Sequence, residues 1–404
     1  MANSSPANSP VSSFPPSLSL AAGAVAVLDQ DGLARLIAAL ANRGYRVIGP
    51  TVSDGALIYD DIGGLDDLPR GWTDRAEPGA VRLIHDGGPQ RFGCSLAGQG
   101  WKRFLYPPRQ RLFAAERAGD GFRLLPDDTP PPPLAFIGAR ACELAGMGVQ
   151  DRVFGTGPGF DEPGYQDRRR RAFVVAVECS RSVSTCFCAS AQTGPALGSG
   201  ADIRLNEIIQ DGVALYIAQA GSDLGCDLLA GLPLSPLTQA QLDAALAQPA
   251  QAAAGQGRTL PPNAAAIIQG ALESSHWADV GSRCLTCGSC TMVCPTCFCT
   301  TVEDSTDLGG LRAERWRRWD SCFTIDYAYI HGGSLRTSAG ARYRQWIGHK
   351  LSTWHSQFGM SGCVGCGRCI AWCPVGIDIT QEIGALAGLD KAQPSPNDAS
   401  CGGR

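Results

Sequence analysis

CLTCGSCTMVCP at residues 284–295 and CVGCGRCIAWCP at residues 363–374 are one pattern written twice, and the rest of the chain is read outward from them. Both have the form CxxCxxCxxxCP, a spacing that holds cubane [4Fe-4S] clusters, with the fourth cysteine of each run ligating the other cluster. The reason lies in reach. Three thiolates within seven residues cap three iron corners from one loop, while the fourth corner faces away and takes a cysteine from elsewhere. The expected ligand sets are Cys284, Cys287, Cys290 and Cys373 for a first cluster, and Cys363, Cys366, Cys369 and Cys294 for a second. Zinc sites and a disulfide framework are the competing readings. Zinc seldom uses this spacing, and a reducing compartment seldom keeps disulfides.

Eleven of the 18 cysteines lie between Cys284 and Cys373. Cys297 and Cys299, in TCFC at 296–299, and Cys322, in WDSCF, are surplus to the eight ligands and are expected to pack beside the clusters. Four more, Cys142, Cys179, Cys186 and Cys188, fall near strand ends, where functional residues of α/β sheets gather. They could complete a third [4Fe-4S] cluster. No compact motif joins them, so burial as small hydrophobes is the competing reading. Cys94, Cys226 and Cys401 stand alone and read as ordinary residues.

The expected fold is α+β: an N-terminal mixed α/β domain followed by an α-helical ferredoxin-type domain that carries the two CxxCxxCxxxCP runs. Residues 1–18 are Ser/Pro/Asn-rich and read as a disordered leader, 19–247 as the α/β domain, 248–262 as a linker, 263–390 as the two-cluster domain and 391–404 as a flexible tail. AVAVLD predicts a strand, Asp31 a cap for the helix GLARLIAALAN, and Gly44 its end before the extended YRVIGPTV. After the proline connector TPPPPL at 129–134, LAFIG, ARACELAGMGVQDRVF and AFVVAVEC predict strand, helix and strand in a βαβ unit. Cys142 then lies at a strand-to-helix turn and Cys179 at the end of the next strand. Ile267, Ile268, Ala271 and Leu272 share one face of a helix leading to the first run. Tyr343, Trp346, Ile347, Leu351, Trp354 and Phe358 form a helical stripe, read as core packing, ahead of Cys363.

At 404 residues the chain predicts two or three domains, and 44% hydrophobic against 18% charged residues permits a sizeable core. The net charge of −4 argues against nucleic acid as a partner. The basic runs Arg168–Arg171 and Arg312–Arg318 read as solvated faces or a protein rim. The first residues show no positive n-region or apolar h-region, so the start reads as the mature start. The apolar run Ala21–Leu28 is too short to span a membrane, and a cytoplasmic protein is expected. No GxxxxGK[ST] loop or GxSxG elbow occurs, and GTGPGF at 155–160 lacks the dinucleotide spacing. His276, His331, His349 and His355 form no metal-binding pattern and read as packing or interface residues. The sequence thus offers electron carriers and no recognisable flavin, nucleotide or substrate site of its own.

CLTCGSCTMVCPTCFCTTVED, RWRRWDSCF, RYRQWIGHKLSTWHSQFG and GCVGCGRCIAWCPVGIDI together resemble the iron–sulfur β subunit of cytoplasmic NAD(P)-linked [NiFe] hydrogenases, the sulfhydrogenases. GARACELAGMGVQDRVF and VECSRSVSTCFCASAQTGP extend the likeness, which covers roughly residues 130–385; the first 120 residues resemble the family only loosely. The A subunit of anaerobic sulfite reductase is similar in pattern. The resemblance implies a non-catalytic subunit that passes electrons between a flavin/NAD(P)H-binding subunit and the small and large [NiFe] hydrogenase subunits. A sulfite reductase-type complex is the alternative, and an iron–sulfur scaffold without a redox role is a second.

Overall fold

The computed structural model describes residues 24–95, 98, 100–126, 131–155 and 161–388. The expected leader and tail, Cys401, part of the proline connector and nearly all of GTGPGF lie outside the described residues.

A seven-stranded sheet runs in the spatial order Val25–Leu28, Val213–Ala220, Ile203–Gln210, Phe173–Val177, Leu134–Ala139, Arg46–Ser53 and Ala56–Asp61. Its four central strands are parallel, with antiparallel neighbours at both edges. Every residue of Leu134–Ala139 and Phe173–Val177 is buried, as the continuous apolar spelling of both segments requires when helices cover the two faces of a sheet. Side chains alternate between the faces. Ala135, Ile137, Val175 and Val177 pack under the helix Gln30–Asn42 through Leu33, Leu36, Ile37 and Leu40. Phe136, Val174 and Ala176 face the helix Ala141–Gly155 through Leu144 and Met147. The βαβ unit is therefore present as expected.

Several boundaries differ from expectation. The cap of the helix Gln30–Asn42 is Asp29, whose carboxylate accepts from Gly32 N at 2.7 Å, while Asp31 lies in the first turn and pairs with Arg35 at 2.7 Å. Both aspartates suit a helix start, and only backbone geometry separates them. Leu272 lies beyond the end of the helix Ala264–Gly270 and is exposed, although Ile268 on that helix is fully buried. Residues 248–254, expected as linker, complete the helix Gln239–Ala254 because Ala and Gln are good helix formers. Nor are residues 255–262 a free tether. Arg258 pairs with buried Asp378 at 2.8 Å and donates to Ser184 O at 2.5 Å, and Leu260 N donates to Ser190 Oγ at 2.9 Å.

The stretch between the two cysteine runs is not wholly helical. Thr300–Thr306 and Arg312–Trp319 form a hairpin whose second strand pairs antiparallel with Arg109–Ala118, itself paired with Gly121–Pro126, so segments about two hundred residues apart build one four-stranded sheet. The basic run in this hairpin is neutralised in place: Arg312 meets Glu116 at 3.4 Å, Arg315 meets Asp304 at 2.7 Å and Arg317 meets Glu162 at 2.7 Å. The helical stripe holds, with Tyr343, Trp346, Ile347, Leu351 and Trp354 all buried and Phe358 half-buried. Among the described residues no helix is long and apolar enough to cross a membrane.

Leu36 is fully buried between helix and sheet, far in sequence from both cysteine runs. Leu36→Ala should lower the unfolding free energy by about 2–5 kcal/mol through the cavity it leaves, read as a lower urea midpoint, with bound iron per folded chain unchanged.

Candidate metal centres

The two runs fold alike. In each, the third residue and the fifth have left-handed backbone, Thr286 (φ 53°) and Gly288 (φ 75°) in the first, Gly365 (φ 61°) and Gly367 (φ 71°) in the second. Each is succeeded by a one-turn helix, Ser289–Met292 and Arg368–Ala371. The reversed backbone turns an amide toward the first sulfur of each run: Thr286 N donates to Cys284 Sγ at 3.4 Å, and Gly365 N to Cys363 Sγ at 3.5 Å. A β-branched residue seldom adopts this conformation, so Thr286 marks a loop held to shape. The second loop also needs its glycines for contact. A Cβ on Gly367 would fall 2.1 Å from Thr185 O, and one on Gly365 would fall 2.6 Å from Cys188 Cα.

Cys284, Cys287 and Cys290 line an apolar recess with Cys369 and Cys373 of the second run. Burial pushes the Cys290 thiol well up, and the sulfurs of Cys284, Cys373 and Cys287 push the same way. At the second site burial raises Cys369, the sulfurs of Cys363, Cys366, Cys294 and Cys290 push the same way, and burial carries Cys363 to about 12. Cys373 thus lines the recess of the first triplet, while Cys294 meets Cys297, Thr296 and Lys350.

The spacing suits a cubane better than a single ion. Tetrahedral zinc draws its thiolates to about 3.8 Å of one another, given Zn–S bonds of about 2.3 Å. Among the described residues the group of three potential ligand atoms that lies within 4.8 Å is His276, Asp279 and Glu382, and no cysteine belongs to it. Arg283 already bridges both of its carboxylates, at 3.0 Å each.

Two buried cations serve these loops. Lys350 sits where the helix Ala339–Gly348 passes through a π-turn at His349–Thr353, a distortion that recurs at functional sites. Its ammonium donates to Thr296 Oγ1 at 2.8 Å, Gly362 O at 3.1 Å and Cys294 Sγ at 3.4 Å. A hydrogen bond from Cys297, aided by Lys350, holds the Cys294 thiol well below its ordinary range. Arg368, between Cys366 and Cys369, donates to Glu143 Oε1 at 2.6 Å with both side chains buried. Glu143 also accepts from Trp101 Nε1 at 2.8 Å, Tyr59 OH at 3.1 Å and Arg140 N at 3.1 Å. Neither cation was legible as functional in the sequence, although an arginine inside a cysteine run was the one available signal.

The surplus cysteines are partly buried near the two runs. Cys297 and Cys322 lie against the core around Tyr343 and Trp346, and Cys322 and Tyr327 hold the Cys299 thiol down to about 6. Cys94 is buried and Cys226 half-buried against the main core. Cys142, Cys186 and Cys188 are buried and Cys179 is half-buried, and Cys142 and Cys188 pack with Cys366 of the second run.

Paired loops of this build, with cysteines as their potential metal donors, make the chain an iron–sulfur protein, and residues 283–377 match the 4Fe-4S dicluster domain family. The particular likeness is to sulfhydrogenase 2 subunit beta of Pyrococcus furiosus, 28% identical over 343 residues, which are 82% of this chain and 90% of that one. The resemblance to sulfhydrogenase β subunits thus holds across both parts of the chain. No solved structure matches it.

Glu143→Ala would leave Arg368 charged and buried without its carboxylate, and should destabilise the folded chain by about 3–5 kcal/mol, measured as a shift in the denaturant midpoint.

Proposed function

We propose that this chain is the electron-transfer subunit of a hydrogenase-type complex, carrying electrons between a flavin subunit that handles NAD(P)H and a [NiFe] hydrogenase module in the cytoplasm. The observation that carries the reading is the pair of alike cysteine loops within a chain whose similarity to a sulfhydrogenase β subunit extends over 82% of its length. Cys284, Cys287, Cys290 and Cys373 would hold one [4Fe-4S] cluster, and Cys363, Cys366, Cys369 and Cys294 the other. Bound there, such clusters supply one-electron redox chemistry and no bond-making step.

The protein's own contribution is environment. At the first site Cys287 is exposed and flanked by Leu285, 60% exposed, and Val375, 43% exposed, an apolar rim suited to a partner's electron carrier. At the second site Cys363 and Cys366 are buried, and Lys350 and Arg368 stand beside it. Exposure and hydrogen bonds to sulfur are the levers that separate two potentials in one chain. The first site suits exchange with a partner and the second suits relay inward.

Potentiometric EPR of the anaerobically purified chain tests the redox role. Paramagnetic signals that appear on reduction are expected, and their absence throughout the accessible range would leave a structural scaffold. Cys287→Ser and Cys369→Ser should each remove about 4 Fe per chain. The crossing has its own check: Cys373→Ser should abolish the signal that Cys287→Ser abolishes and spare the one lost in Cys369→Ser.

A further inference from the structure

We infer that Cys142, Cys179, Cys186 and Cys188 hold a third [4Fe-4S] cluster, set in the α/β domain and packed against the second cysteine run. The inference extends the reading of the two runs and is tested apart from it. The four residues come from three elements that the sheet brings to one place. Leu134–Ala139 and Phe173–Val177 are adjacent parallel strands whose carboxyl ends point the same way. Cys142 lies in the first turn of the helix that follows the former, and Cys179 lies just past the end of the latter. The carboxyl edge of such a sheet is where α/β proteins bind ligands.

The loop carrying Cys186 and Cys188 closes over that edge. Cys186 N donates to Val183 O at 3.0 Å, and Thr193 N to Cys188 O at 3.0 Å, so the segment is a folded turn. Phe187 N donates to Gly365 O at 2.8 Å and Thr193 Oγ1 to Val364 O at 2.7 Å, which clamps it to the second run. A Cβ built on Gly194 would sit 3.2 Å from Cys188 Sγ and 2.9 Å from the Ala141 methyl. The Cys188 sulfur therefore reaches the start of the helix that carries Cys142. Cys142, Cys188 and Cys366 share one buried cluster with Val149, Val364 and Trp354.

Packing as small hydrophobes accounts poorly for this. Cys186 has apolar neighbours in Ala76, Val183 and Ala371, but Cys188 accepts a hydrogen bond from Gln256 Nε2 at 3.0 Å. Buried Arg140 stands beside Cys179, and buried Arg368 stands beside Cys142. Cysteines gathered at one edge of the sheet and an amide donor to the Cys188 sulfur match a bound centre that is anionic through its thiolates. Three of these sulfurs do not crowd within 4.8 Å, which speaks against a single zinc ion. Loading a [4Fe-4S] core would form four iron–thiolate bonds and release the four thiol protons. The second run would then stand between the first site and the third, linking the exposed rim to the α/β domain.

The full chain, purified anaerobically and reconstituted with iron and sulfide, is assayed for iron, acid-labile sulfide and zinc. About 12 Fe and 12 sulfide per chain are expected, falling to about 8 of each in Cys186→Ser and in Cys142→Ser. A third spin per chain on reduction should disappear in the same variants. Where Cys142→Ser does not fold by circular dichroism, Cys186→Ala provides the comparison. Saturation at about 8 Fe with Cys186→Ala unchanged, or one zinc per chain lost in Cys186→Ala, would overturn the third cluster and leave the two-run reading intact. Full iron in Cys287→Ser and Cys369→Ser would instead defeat the two-run reading.

Discussion

The contact between Arg368 and Glu143 is the constraint on which the arrangement of this protein depends. The arginine belongs to the second cysteine run, and the carboxylate belongs to the first turn of the helix behind the central sheet. With both side chains dry, the pair stands only because the carboxylate is otherwise satisfied, by Trp101, Tyr59 and the Arg140 amide. A buried ion pair of this kind is weak evidence for stability and better evidence for position. It specifies where the second run sits on the α/β domain, because any displacement would strand a charge in a site without water.

Other contacts repeat the coupling at longer range. The hairpin inserted between the runs shares a sheet with Arg109–Ala118, and residues 255–262 are pinned through Arg258 to Asp378 and Ser184. Gly365 and Gly367 let two backbones touch where side chains would collide. The chain thus behaves as one interlocked body in which cysteine loops are seated on a sheet, more than as two domains on a tether.

The two runs share a backbone and differ in surroundings. Cations placed beside one site and solvent beside the other give like loops unlike electrostatics, since a fixed positive charge in a dry site favours the more reduced, more negative state. The shared cysteine spacing hides most of this asymmetry, because Lys350 comes from elsewhere in the chain and only Arg368 lies within a run.

Taken alone, the sequence settles local matters. The cysteine spacings announced the two sites, because capping three corners from one loop depends on a few consecutive residues. The apolar runs at 134–139 and 173–177 announced buried parallel strands, and the stripe from Tyr343 to Phe358 announced a packed helix, because periodicity reports burial. Asp29 and Asp31 were indistinguishable as caps at that level, and an Ala/Gln-rich segment looked like linker although its residues favour helix. Tertiary pairing, by contrast, is what makes Arg312–Trp319 a strand. Its spelling reads as charge, and its partners lie about two hundred residues away in the chain, at Arg109–Ala118. The same holds for Lys350, which lies in a π-turn and donates to Cys294, and for the packing of Cys142 and Cys188 against Cys366. These are contacts between segments far apart in sequence, and no local periodicity or propensity encodes a distance that folding alone closes.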